Sequence, residues 1–292
     1  MKKYFILVII GSFGINQALF AEGYPETVSG DTRQVRSSSS PDWLQAVGRS
    51  ISVTSNALRE SCSWSLIVDA PGKDGVIVAG AGHCVDHWYQ GGNRYEVGEN
   101  EITWTTQSGQ KITRQIVEIF EASMSSGDYA IAKLDHPISR QDIKPLMSSP
   151  YDYSDMLDAE LFASNGEPFK PFGTMTGYSA DTGLGQKGKV LTYDACRQVN
   201  GGRPGDKKAY CWSYSGASGG PLAVTLYLNG DFSGDAGGLW LFEDYIPNVI
   251  PGTYTFWAGT IVGSEGNDGH DKTIFTEHSH YSGTLDRILA AH

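Results

Sequence analysis

Three short stretches carry the residue types from which an activated serine is built. Residues 213–221 read SYSGASGGP and set Ser218 among small residues. Residues 75–86 read GVIVAGAGHCVD, where His83 follows a β-branched run directly, and residues 125–135 read SSGDYAIAKLD, where Asp128 opens an apolar run. A hydroxyl attacks a carbonyl at neutral pH only with a base within hydrogen-bond reach, and an imidazole base needs an acceptor that fixes its tautomer. Taken singly, each residue has a plain structural alternative: a glycine-rich loop, a core histidine, a turn aspartate at a strand start. Of the seven histidines, His83 is singled out because it alone directly follows a strongly β-forming run, with a cysteine beside it.

The order along the chain separates two hydrolase designs. GASGG fits the G-x-S-x-G elbow of α/β-hydrolases, but that triad runs serine, acid, histidine, and its elbow opens a helix. Here the order is His83, Asp128, Ser218, and Gly219-Gly220-Pro221 leads into LAVTLYL, a strand pattern. Both requirements of the elbow fail.

The elements that must position these residues read as β. Runs such as CSWSLIVDA, EITWTT, KITRQIVEIF, YAIAKL, PLAVTLYL and TFWAGTIVG are short and β-branched or aromatic, broken by Gly, Asn, Asp and Pro. With 36 glycines in 292 residues, an all-β architecture of barrel type is expected. One helix is predicted, at SGTLDRILAAH, where Leu285, Ile288 and Leu289 share a face and Ser282 or Thr284 is placed to cap.

Three blocks in this order resemble the chymotrypsin-like serine peptidases. AGHCV (Ala81–Val85) is similar to their T-A-A-H-C-V, DYAIAKL (Asp128–Leu134) to D-I-A-L-L-K-L, and GASGGPL (Gly216–Leu222) to G-D-S-G-G-P-L. Within that family the chain is most similar to the bacterial branch that includes glutamyl endopeptidases; GDTRQV and WLQAVGRSI resemble the start of those mature enzymes. The resemblance implies two six-stranded antiparallel β-barrels packed face to face, the first over about 43–145 and the second over about 160–292, with the site between them. It assigns Ser218 as nucleophile, His83 as general base and acid, Asp128 as its orienting partner, and the Gly216 and Ser218 amides as the oxyanion hole. It also implies no cofactor, a monomer, and protein or peptide substrates. The alternative class is an inactive exported binding protein on the same scaffold.

The departures bear on activation and specificity. Ala217 stands where many members carry the aspartate that receives a freed N-terminus, so that ion pair is expected to be absent. Trp212 occupies the pocket-base position of trypsin-like members, and Ile261 falls where glutamyl endopeptidases place a histidine, so neither basic nor acidic specificity has its usual counter-group. Glu265 reads as an exposed turn residue. VGSEG replaces the expected Ser-Trp-Gly-like segment, and residues 229–252 read as an insertion.

Four cysteines, Cys62, Cys84, Cys196 and Cys211, allow three pairings, and no C-x-x-C spacing points to zinc. The resemblance implies Cys62–Cys84 and Cys196–Cys211. The alternation His278-Ser279-His280 reads as two histidines on one strand face without a third ligand, and NGDFSGD lacks a full calcium-loop pattern, so no metal is expected. Lys2-Lys3, an apolar run and a small-residue site near Ala21 read as a secretory signal over 1–21, the alternative being an N-terminal membrane anchor, so the chain is expected to be secreted or periplasmic and free of the membrane once cut. Residues 22–40 read as a polar leader or propeptide, preceding a protease domain over 41–292. With 33 acidic against 22 basic side chains and a net charge of −11, the composition argues against a nucleic-acid partner, which needs a basic face.

Overall fold

The computed structural model describes residues 25–53, 59–85, 101–124, 127–157, 161–162, 168–169, 171–199, 206–228, 252–266 and 270–292. The expected signal peptide, His87 and nearly all of the 229–252 insertion lie outside them. Among the described residues sixteen strands follow in chain order. The first eight are β1 Gln34–Val35, β2 Val47–Val53, β3 Arg59–Val68, β4 Gly75–Gly80, β5 Glu101–Thr105, β6 Lys111–Ser123, β7 Tyr129–Ile138 and β8 Leu146–Ser148. The rest are β9 Leu161–Phe162, β10 Pro168–Phe169, β11 Phe172–Gly177, β12 Thr192–Val199, β13 Asp206–Tyr210, β14 Pro221–Leu228, β15 Gly252–Glu265 and β16 Lys272–Glu277.

Antiparallel pairings close two rings of six. The first runs β2–β3–β4–β7–β6–β5 and back to β2. The second runs β11–β12–β13–β16–β15–β14 and back to β11. Closure gives each of the twelve ring strands a neighbour on both sides. The short β8 lies parallel to β3 on one side and to β15 on the other, so one strand is shared between the barrels.

β3 shows how the sequence builds the interface. Its side chains alternate across the sheet. Cys62, Trp64 and Leu66 join the apolar core, while Ser63 and Ser65 on the opposite face donate to carbonyls of the second barrel. Trp64 and Trp104 are fully buried, and each indole N–H is satisfied, by Ser50 Oγ at 2.9 Å and by the Ala46 carbonyl at 3.1 Å. Truncating either to alanine costs about 3–5 kcal/mol.

The expected C-terminal helix spans Ser282–Ala291 and buries Leu285, Ile288 and Leu289. Its cap differs from expectation: Tyr281 is the N-cap residue and no side chain caps the first turn. His278-Ser279-His280 is not a strand either but a 3-10 turn, with His278 buried against Trp257 and Tyr281. The polar stretch expected as a leader is docked from Pro25 onward: β1 pairs with β12, the Arg36 amide bonds the Leu191 carbonyl, and Arg33 is buried.

Candidate active site

His83 sits in a 3-10 turn, Gly82–Cys84, that ends β4. The turn is closed by Cys84 and Val85 amides donating to the Ala81 and Gly82 carbonyls. A disulfide from Cys84 to Cys62 on β3 anchors it. Gly82 is required by close approach: a Cβ there would lie 2.0 Å from the Ser123 carbonyl oxygen and 3.0 Å from Asp128 Oδ1. The small residues before His83 therefore let β6 and Asp128 close over the loop.

Asp128 immediately precedes β7, which pairs with β4, so the two strands deliver their terminal residues to one point. Asp128 Oδ2 lies 2.6 Å from His83 Nδ1, and Oδ1 accepts the His83 backbone N–H at 2.9 Å. This double hold fixes both the backbone and the ring. It leaves Nε2 without a partner among the described residues, and the side chains stay partly open, at 32% and 20% exposure.

Ser218 comes from the second barrel, in the turn between β13 and β14, and is 9% exposed. Its carbonyl accepts the Ser63 amide at 2.8 Å and lies 3.9 Å from Cys84 Sγ. Those contacts seat the loop beside the residue after His83. Ser218 Oγ and His83 share no hydrogen bond in the structure.

The loop backbone is ordered carbonyl by carbonyl. Tyr214, Ser215 and Ala217 carbonyls accept amides of Ala217 (3.0 Å), Ala180 (2.6 Å) and Gly220 (2.9 Å). The Gly216 carbonyl accepts Ser63 Oγ at 2.8 Å. Every carbonyl from 214 to 218 is thus engaged, whereas the amides of Gly216 and Ser218 donate to no acceptor among the described residues. Gly216 has φ +91°, and a Cβ there would meet the Tyr178 carbonyl at 2.5 Å. Only glycine fits that bend. Ser63 and Ala180 were not singled out from sequence; the Ser-x-Ser alternation in CSWSL was the available signal.

The other residues weighed from sequence have other roles. Ile261 is buried, and its carbonyl and amide bond Gly219 and Gly220. The Trp212 amide donates to Asp194 at 2.9 Å. Burial pushes the Asp194 carboxyl above its ordinary value, against the pull of that amide and of Thr32. Glu265 forms an ion pair with Lys208 at 2.6 Å, and Ala217 is fully buried. His270 stacks on Tyr214 with centroids 4.0 Å apart, and burial lowers its pKa.

Disulfides join Cys62 to Cys84 and Cys196 to Cys211, as the resemblance implied. Cys62, His83 and Cys84 offer a cluster of ligand atoms within 4.8 Å, but the two sulfurs are bonded to each other and hold no thiolate for a metal. Among the described residues no helix is long and apolar enough to cross a membrane.

No protein-family model and no curated protein sequence matches the chain. Among solved structures it is similar to a thermostable serine protease from an extremophilic microorganism, at 16% identity and a TM-score of 0.53, covering 86% of this chain and 100% of that one. The fold is that of the trypsin-like serine proteases.

Proposed function

We propose that this chain is an exported serine endopeptidase acting through His83, Asp128 and Ser218. The observation that carries the reading is the convergence of an Asp-held imidazole, from one barrel, with a serine loop from the other in which the Gly216 and Ser218 amides donate to no acceptor among the described residues. Ser218 Oγ attacks the scissile carbonyl while His83 Nε2 takes its proton, and Asp128 stabilises the imidazolium that forms. The carbonyl oxygen, now negative, receives the Gly216 and Ser218 N–H groups. Collapse breaks the C–N bond, His83 returns the proton to the leaving amine, and water repeats the sequence to release the acid. The Ser218–His83 hydrogen bond closes when substrate enters, a tightening common to sites seen without ligand.

Two disulfides suit an oxidising compartment, in keeping with export. Trp212 and Ile261 supply no charge to a substrate pocket, which argues against a strict requirement for a charged side chain at the cleaved bond.

Fluorophosphonate labelling of the mature protein, with peptide mapping, tests this. Modification at Ser218 that disappears in Ser218→Ala and His83→Ala is expected. A folded chain that stays unmodified would instead be an inert binding scaffold.

A further inference from the structure

A charged knot in the N-terminal arm takes no part in the chemistry above. Arg33 donates through Nη2 to Asp31 at 2.7 Å and through Nη1 to Asp181 at 2.9 Å, and the three side chains are 0%, 2% and 0% exposed. Its guanidinium lies 4.2 Å from the centroid of the Tyr214 ring. Charges withdrawn from water this completely are costly unless their geometry is satisfied throughout. Here every member is satisfied: Asp181 also accepts Thr27 Oγ1 and the Gly185 amide, and Arg33 Nη1 reaches Thr192 Oγ1.

Two of the residues that Arg33 contacts, Asp181 and Tyr214, lead directly to the peptide before Gly216. Asp181 follows Ala180, whose amide holds the Ser215 carbonyl at 2.6 Å. In a trans peptide the C=O and the next N–H point in opposite directions. Fixing the Ser215 oxygen toward Ala180 therefore aims the Gly216 N–H the other way. On the second side, the Tyr214 hydroxyl accepts the arm's Val28 amide at 3.1 Å, and the Tyr214 carbonyl holds Ala217.

We propose that Arg33 is a positioning residue for the oxyanion-stabilising amide of Gly216, acting through Asp181 and Tyr214. The proposal rests on the peptidase reading of Ser218. An internal side chain of the arm then does the ordering, and a chain start anywhere before Pro25 leaves the clamp whole. With Ala217 beside the nucleophile, no carboxylate at that position waits for a terminal ammonium.

The test uses p-nitrophenyl acetate hydrolysis and fluorophosphonate labelling on the full mature chain, with circular dichroism and melting to verify folding. Arg33→Met is expected to lower kcat by about 10²–10³, the size of losing one oxyanion donor, with KM changed less than about threefold. Arg33→Lys keeps charge without the fork and should recover part of that loss. Thr27→Val, which leaves the Arg33 fork intact but removes the hydroxyl that donates to Asp181 and accepts the Leu184 amide, should lower kcat about threefold to tenfold. A folded Arg33→Met with parental kcat, or with a loss confined to KM, overturns the clamp. If Arg33→Met does not fold, parental kcat in Thr27→Val overturns it. A parent that neither labels at Ser218 nor hydrolyses the ester overturns the peptidase reading and the clamp with it, whereas a labelled parent keeps the two failures apart.

Discussion

Ser63 bonds the Ser218 loop twice: its amide donates to the Ser218 carbonyl at 2.8 Å and its hydroxyl to the Gly216 carbonyl at 2.8 Å. The same hydroxyl accepts the Tyr178 amide at 2.8 Å. A first-barrel strand thus sets the backbone of a second-barrel loop. Ser63→Ala keeps the first bond and removes the other two, leaving the Tyr178 amide buried without a partner. We expect a stability loss of about 1–3 kcal/mol by denaturant unfolding.

The proposed triad acts as a unit. Ser218→Ala and His83→Ala should each lower kcat by about 10⁶, and Asp128→Asn by about 10⁴, because the amide presents the wrong group to His83 Nδ1. Hydrolysis by folded Ser218→Ala at the parental rate would remove the assignment.

Gly216→Ala forces a side chain into φ +91° and against the Tyr178 carbonyl. The loop has to rotate, moving its amide off target, and kcat should drop about 10²–10³-fold with the fold retained. Steady-state kinetics on the variant checks this, and an unchanged kcat would show that the amide is not used.

The Cys196–Cys211 bridge closes a span of 15 residues between β12 and the segment leading to Ser218. Replacing both cysteines by serine should cost about 3 kcal/mol of stability. Non-reducing peptide mapping of the parent should recover this pair and Cys62–Cys84; a crossed pairing would contradict it.

Glu277 gives a pH signature. Burial, and then the nearby Asp152, raise its pKa above 4.5 in the folded chain. Folding therefore favours the protonated form: that contribution is complete below the unfolded pKa and is lost as pH rises through the folded value. Glu277→Gln keeps an acceptor for Ser154 but cannot ionise. Relative to the parent, its melting temperature should rise between pH 4 and pH 7, and a difference constant with pH would refute the cause given.

What the sequence made legible was local. The β-branched run before His83, the aspartate opening β7 and the glycines around Ser218 each signal their own turn, and their order excluded the elbow design. The arm was illegible for the opposite reason. Residues 22–40 are polar and carry no strand period, so they read as a leader, yet Arg33 finds Asp181 a full 148 residues away. Asp181 lies in no motif, and nothing around it signals a buried charge. The histidine pair misled because alternation on a strand and a 3-10 turn share the same three letters; only burial of His278 beneath Trp257 separates them.

The three-residue β8 has a consequence for how the molecule comes apart. Its backbone hydrogen bonds run to both barrels, through Ile67 and Val68 on one side and Phe256 and Trp257 on the other. The spacing of the cleft walls is thereby tied to main-chain bonds, which side-chain replacement at the interface leaves in place. A domain-by-domain melt would have to strip β8 from one partner while the other still held it. Heating should instead give a single calorimetric peak, and a nick near 150 should yield two fragments that remain associated and melt together.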